Sequence, residues 1–222
     1  MGYLLDKCLF VRLSEEIIDQ CQSYVCSKDL DIDSFFHTNQ KDNFQDYNNE
    51  MMGYSHCFYT DGANPQMVCA FSLSHSALRT ELLPKPKRNK FNKTIPNPKR
   101  RSQYPAILIG RLCVFDDFRH FKVGDEMMDL IKTIAIDQNN PCAARFLVVD
   151  AVNNEKVIEY YQNNGFKFLF ESDSEEQGCL HNVLHETLLQ KIKKIVSGTE
   201  KPAINCPTRL MYFDLIVLNQ DA

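Results

Sequence analysis

Hydrophobic and polar positions fall into short blocks whose periods switch between two and about 3.6, the pattern of strands interleaved with helices. In Tyr3–Leu13, Cys8, Phe10 and Arg12 alternate with Leu9, Val11 and Leu13, which predicts a first strand. Ser14 is placed to cap a short helix with Glu15 and Glu16 in its first turn, where carboxylates suit the helix dipole. Ile32, Phe35, Phe36, Phe44 and Tyr47 recur at roughly three and four across Asp31–Asn48, predicting a helix. His56–Tyr59 and Met67–Leu73 flank the turn-rich Asp61-Gly62-Ala63-Asn64-Pro65 and predict a β-hairpin. Tyr104–Val114 reads as a strand, Gly124–Gln138 as a helix with its stripe at Met127, Met128, Ile131, Ile134 and Ala135, and Arg145–Val149 as a short buried strand. Asn154–Gln162 reads as a helix, followed by strands at Phe166–Phe170 and Leu210–Leu218. Between those two strands lie an acidic stretch and an amphipathic helix through Val183, Leu184, Leu188, Leu189, Ile192, Ile195 and Val196. The expected fold class is therefore α/β or α+β.

With 222 residues, 44% of them hydrophobic, the chain is long enough to bury a core without a metal or disulfide staple. The longest purely apolar runs, such as Ala106–Ile109 and Phe146–Val149, fall far short of the ~18 residues of a membrane span. Met1–Leu13 lacks a basic start followed by an unbroken apolar run, so a cytoplasmic protein with no membrane partner is expected. Nine cysteines without a C-x-x-C read as free thiols in a reducing compartment. His181 and His185 stand four apart but have no third ligand at matching spacing, so no metal is expected.

Charge is unevenly spread. Arg79–Tyr104 carries nine Lys/Arg against Glu81 alone, a local net of +8 in a chain whose total is −4. Pro84, Pro86, Pro96 and Pro98 interrupt this stretch, which predicts an extended loop rather than a helix. Two readings stand: a solvated insertion, or an arm for a polyanion such as RNA, a phosphorylated cofactor or an acidic partner.

The chemistry concentrates in Pro105–Phe170. The strand ending at Val114 leads through a turn into a helix opening at Val123-Gly124, which puts backbone N–H groups and the positive helix end where an anion is welcome. Further on, Asn154 can cap a helix, Tyr161 lies on its last turn with its phenol able to point towards the middle of the sheet, and Gly165 permits the exit into a strand. Each also has a purely architectural reading: Asn154 and Gly165 as caps, Tyr161 as core packing.

Taken together, Tyr104–Phe170 resembles the GNAT family of acetyl-CoA-dependent N-acetyltransferases. Leu112-Cys113-Val114 matches the strand end of that family, and Arg119-His120-Phe121-Lys122-Val123-Gly124 matches its Q/R-x-x-G-x-G/A turn with Lys122 in place of the first glycine. Asn154, Tyr161 seven positions on and Gly165-Phe166 four beyond match its second block in register. Ile109-Gly110-Arg111-Leu112 and Leu30–Phe36 are further similar to a bacterial branch with toxin-type members that acetylate charged transfer RNA.

The resemblance implies a single acetyltransferase domain over residues 1–222, with a basic loop insertion at 79–104 and a helical insertion at 171–207. It implies a mixed, mostly antiparallel central sheet flanked by helices, in which two parallel strands, Tyr104–Val114 and Arg145–Val149, splay apart. Acetyl-CoA would be the co-substrate, with no metal. Its pantetheine arm would lie along Leu112, Cys113 and Val114, and its pyrophosphate on Arg119, His120, Phe121, Lys122, Val123, Gly124 and Asp125, with Asn154 also on the cofactor. A neutral primary amine would attack the thioester directly while a backbone N–H at or near Val114 polarises the carbonyl. Tyr161 would be the general acid for the CoA thiolate, its phenol pKa near 10 lying close to that of a thiol. Asp150 is a candidate base, beside a water chain. The acceptor is left open between a cationic amine drawn to the acidic body and transfer RNA drawn to the basic loop. A monomer or a homodimer fits equally. The alternative from another class is a non-catalytic module binding acyl-CoA or nucleic acid, with Lys122 marking a degenerate site.

Overall fold

The structure is a computed structural model and describes residues 2–21, 24–38, 41–93, 95, 102–140, 143–180 and 205–218. In chain order its elements are α1 (Tyr3–Lys7), β1 (Cys8–Arg12), α2 (Glu15–Gln20), α3 (Leu30–Phe35), α4 (Phe44–Asn49), β2 (Tyr54–Thr60), β3 (Met67–Arg79), α5 (Lys85–Asn92), β4 (Gln103–Val114), α6 (Val123–Ile136), β5 (Phe146–Val152), α7 (Glu155–Asn163), β6 (Lys167–Phe168), α8 (Asp173–Leu180) and β7 (Thr208–Asp214). The seven strands follow the order β1-β2-β3-β4-β5-β7-β6. β1–β2, β2–β3 and β6–β7 pair antiparallel, while β4 and β5 pair parallel, so the mixed, mostly antiparallel sheet that the resemblance implies is present.

The chain divides into two units, one made of Met1–Ala77, Pro105–Val148 and Asp214–Ala222, the other of Leu78–Tyr104 and Val149–Phe213. In the first, one sheet face carries Cys57, Met67, Ala70 and Cys113, which cluster with Leu13, Tyr24, Cys26, Phe35, Phe36, Phe44 and Phe115 around α2, α3 and α4. Alternation sends Phe58, Cys69 and Phe71 to the opposite face, where they are equally buried. On that side α6 turns inward Val123, Met127, Met128, Ile131 and Ala135. Its Glu126 lies close enough to Cys8 and Cys69 to help burial raise both thiols. The second unit is held by an ionic clasp. Buried Arg209 on β7 binds Glu176 (2.6 Å) and Asp173 (2.6 Å) of α8 and donates to the Phe170 carbonyl (3.0 Å), while Glu176 also accepts the Leu210 N–H (2.6 Å).

Several local expectations are corrected. The first strand starts only at Cys8, because the Glu126 carboxylate accepts the Tyr3 and Leu4 N–H groups (2.8 and 2.7 Å) and so caps a helical turn ahead of it. The helix expected over Asp31–Asn48 is two helices. Asp42 takes a left-handed φ of 58°, and Asn43 then caps α4 by accepting the Gln45 and Asp46 N–H groups. The basic stretch is not simply an extended loop, since α5 runs through it. Pro84 is its N-cap and Pro86 sits in its first turn, where helix N–H groups have no partner and proline costs nothing. The strand expected over Phe166–Phe170 shrinks to Lys167–Phe168, and that over Leu210–Leu218 gives way after Asp214 to a 3-10 turn over Leu215–Leu218. The helix through Val183–Val196, the His181/His185 pair, Cys142, and Lys99, Arg100 and Arg101 of the basic stretch lie outside the described residues.

Candidate active site

The distal half of β4 is set by a change of phase. The Pro105 carbonyl accepts the Arg145 N–H at the head of β5 (2.9 Å), so odd-numbered residues there present their backbone groups towards β5. Further along, Arg111 donates to the Ser72 Oγ (2.9 Å) and Phe115 to the Val68 carbonyl (3.1 Å), so odd-numbered residues now face β3. Burial shifts the same way, from Tyr104 and Ala106 to Ile109 and Cys113. A bulge between these segments accounts for both, and Gly110 marks it: a Cβ there would stand 2.9 Å from the Ser72 Oγ. The register with β5 covers Ala106↔Phe146, Ile107↔Leu147 and Leu108↔Val148, whereas β4 continues to Val114. The bulge therefore turns the backbone groups of Leu112 and Val114 away from β3, the arrangement an added extended chain requires.

Beyond Val114 the chain folds back on itself. Arg119 donates from Nε to the Val114 carbonyl (3.1 Å), pairs through Nη2 with Asp116 (2.8 Å) and reaches the Cys26 Sγ (3.5 Å). Its guanidinium thus holds the strand end and is largely enclosed. Asp116 in turn accepts the Ser27 N–H (3.3 Å), and Ser27, through its side chain first, holds the carboxyl below its usual range. His120, Phe121, Lys122 and Asp125 are exposed, and Phe121 stacks on Tyr3 at 4.8 Å. Lys122, standing where the turn motif has glycine, is the N-cap of α6 at φ 56° and ψ 20°. It adopts the left-handed conformation a glycine would supply, so the loop keeps its course despite the substitution. The Lys122 side chain does not cap α6, which begins with buried Val123 and half-buried Gly124.

In the second unit Asn154 caps α7, its Oδ1 accepting the Lys156 N–H (3.0 Å). Tyr161 is buried, its ring meeting Tyr160 and Phe166 edge-on at 5.3 Å each, and Phe166 leans on Phe213 at 5.7 Å. Gly165 leaves α7 at φ 83°, and a Cβ there would stand 2.9 Å from the Phe213 ring. Burial pushes the Tyr161 phenol well above 10, so it is held in the protonated, donating form. Asp150, at an accessible position of β5, has a carboxyl raised by partial desolvation. A depression of about 510 Å³ lies over α7, lined by Asn153, Glu155, Ile158, Glu159, Gln162 and Phe168 and not by Tyr161. Among the described residues no His, Cys, Asp and Glu group is arranged to hold a metal ion.

The structure thus brings Leu112, Cys113, Val114, Arg119, His120, Phe121, Lys122, Val123, Gly124 and Asp125 into one continuous strand-turn-helix segment of the first unit. Asn154 and Tyr161 share α7 in the second. Sequence reasoning passed over Cys26 and Asp116, which lace the 25–28 segment to the chain just beyond β4, and Asp33, which ties Cys26 to α3. Nothing in their spacing announces them. Gly110, isolated in an apolar strand, is the one local signal from which the bulge could have been read.

No family model and no curated relative matches the chain in sequence. Solved structures do match in fold. A Tyr→Phe mutant of KacT superposes with a TM-score of 0.58 at 12% identity, over 98% of this chain and 100% of that one. AtaT complexed with acetyl-methionyl-tRNAfMet gives 0.54 at 13% identity, over 96% and 98%. AtaTR bound with AcCoA gives 0.57 at 13% identity, over 97% and 98%. The fold is that of the GNAT acetyltransferases.

Proposed function

We propose that a chain with this fold and this β4–α6 segment is an N-acetyltransferase that moves the acetyl group of acetyl-CoA to a primary amine by direct attack. The observation that carries the reading is the phase change in β4, which turns the backbone of Leu112 and the Val114 N–H away from β3 at the strand end that leads into α6. On this reading pantetheine amides pair with that backbone and the pyrophosphate rests on the exposed Phe121–Asp125 turn, with Lys122 adding a cation. Arg119 serves by fixing Val114, and the Val114 N–H polarises the thioester carbonyl. The attacking amine gives its proton to a base, for which Asp150 with its raised carboxyl is the candidate in this chain. Tyr161, kept protonated by burial, donates to the departing thiolate. Residues 1–222 act as one acetyltransferase domain, cytoplasmic and bacterial.

For the acceptor we favour the amino group of an aminoacyl-tRNA. Two observations support it: α5 turns the exposed Lys85, Lys90 and Lys93 outward while Lys87 is neutralised by Glu175 (2.6 Å) and Glu171 (3.0 Å), and the AtaT neighbour carries an acetylated methionyl-tRNA.

The test is acetyl transfer by the purified protein from labelled acetyl-CoA to small amines, to lysine-rich peptides and to charged transfer RNAs, with products identified by mass spectrometry. Transfer to charged transfer RNA that weakens when Lys85, Lys90 and Lys93 become Glu supports the full reading. Transfer only to small amines keeps the acetyltransferase and removes the RNA acceptor. Binding of acetyl-CoA with no transfer to any amine leaves a non-catalytic acyl-CoA module. Tyr161→Phe is expected to lower kcat about 10²-fold or more with acetyl-CoA affinity nearly unchanged, since the buried ring stays in place. Near wild-type turnover would remove Tyr161 as the acid.

A further inference from the structure

The chain beyond β4 fixes one peptide unit from both sides. The Val114 carbonyl accepts from Arg119 Nε (3.1 Å), while the N–H of the same unit, on Phe115, donates to the Val68 carbonyl (3.1 Å). With β4 extended up to that point, the tilt of this unit sets where the Val114 N–H points. Arg119 reaches back to it because Asp116–Phe118 is a 3-10 turn, whose three residues per turn bring the side chains of 116 and 119 to one side. A long guanidinium holds Val114 only if it is held itself, and the Asp116 carboxylate does this. Its Oδ1 is closed to solvent and stands 2.8 Å from Arg119 Nη2. Asp116 is bracketed in turn by the 25–28 segment. Its N–H donates to the Val25 carbonyl (3.0 Å) and its Oδ2 accepts the Ser27 N–H (3.3 Å). That segment is anchored further back, where the Cys26 N–H donates to Asp33 of α3 (2.5 Å) and Asp29 caps the same helix. All of these residues belong to the first unit.

We propose that Asp116 is a positioning residue for acetyl transfer: by fixing the Arg119 guanidinium between the 25–28 segment and the end of β4, it aims the Val114 N–H at the thioester oxygen. The inference rests on the acetyltransferase reading and adds to it a residue that acts only through Arg119. Negative charge gathers on the thioester oxygen as the amine attacks, and a donor already fixed at that place needs no reorganisation when it does. A donor whose support is loosened still meets the neutral carbonyl of the bound cofactor but misses the developing anion. The loss then falls on kcat and not on cofactor affinity.

The test is Asp116→Asn, which keeps an acceptor for the Ser27 N–H and the main-chain bond to Val25 but removes the charge facing Arg119. The expected result is a kcat lower by about tenfold or more, with acetyl-CoA affinity by calorimetry within about twofold and an unchanged urea midpoint. Asp116→Glu, which keeps the charge, should recover part of that loss. Arg119→Gln should lose at least as much, and adding Asp116→Asn to it should cost less than about twofold more, because the two act as one. A binding readout stands beside the kinetic ones: the infrared carbonyl stretch of bound ¹³C-acetyl-CoA, lowered by polarisation in the wild type, should move back towards the free value in Asp116→Asn. Full activity in Asp116→Asn, a loss matched by weakened acetyl-CoA binding, or additivity with Arg119→Gln overturns the proposal. If the wild type binds acetyl-CoA but transfers nothing, the acetyltransferase reading falls and the infrared comparison alone decides on Asp116. If it binds none, both fall together. Should Asp116→Asn not fold, Asp116→Glu carries the same readouts, and a carbonyl stretch and kcat identical to wild type in it would equally reject the role.

Discussion

At the scale of single residues, Lys122 shows how a missing glycine can be tolerated. A non-glycine residue at φ 56° carries about 1–2 kcal/mol of strain, which a domain of ordinary stability can absorb at one position. Lys122→Gly is therefore expected to stabilise the fold by about 1 kcal/mol, visible as a higher urea midpoint at unchanged slope. Lys122→Met keeps the strain but removes the charge, and should weaken acetyl-CoA binding severalfold by calorimetry while leaving the midpoint alone. If the two variants behave identically in both measurements, strain and charge have been assigned wrongly. Tyr161 carries its own pH signature. With its phenol raised by burial, kcat should show no loss of the acid up to about pH 10. An alkaline fall below pH 9 that vanishes in Tyr161→Phe would contradict this.

At the scale of elements, the Arg209 clasp is the clearest long-range dependency. Arg209 and Glu176 are both buried, so truncating one leaves the other as an unpaired buried charge. Arg209→Ala should cost about 3–5 kcal/mol in denaturant unfolding, and a loss below about 1 kcal/mol would mean water reaches the pair. None of this was legible in the sequence, because Arg209 and its acids stand 33 and 36 residues apart. The same holds for α1, whose cap comes from Glu126, more than 120 residues away. By contrast, the β2–β3 hairpin, α6 and α7 were readable because their signals are local: a turn-rich connection, a helical stripe, and Asn154 as cap. α5 was missed through reading prolines as breakers when their position at a helix start makes them compatible. At the candidate site the strand-turn-helix order and Tyr161 were readable, while the enclosure of Arg119 by Val114, Asp116 and Cys26 depends on a segment more than 80 residues upstream.

At the scale of the whole molecule, buried thiols make stability sensitive to alkali. In the unfolded chain a cysteine titrates near 8.5, whereas burial raises Cys57 to about 12 and Cys69 well above its ordinary value. Between these limits the unfolded state releases protons that the native state keeps, so this contribution to stability is whole below about pH 8.5 and lost as pH rises towards 12. The slope should approach about 1.4 kcal/mol per pH unit for Cys57 alone. Urea unfolding at pH 8, 9, 10 and 11 measures it, and Cys57→Ala should flatten it; an unchanged slope in that variant would reject Cys57 as the source.

The way the chain is shared between its two units bears on how it is made. Arg145 binds Asp214 at 2.7 and 2.9 Å, and the Leu215 N–H donates to the Arg145 carbonyl, so the unit that begins at the amino end is completed by residues beyond 213. A ribosome must therefore deliver residues as far as Asp214 and Leu215 before that unit can close. Until then the nascent polypeptide presents apolar strand faces, making arrival of the segment that begins at Asp214, rather than emergence of the first strands, the step at which chaperone protection ends.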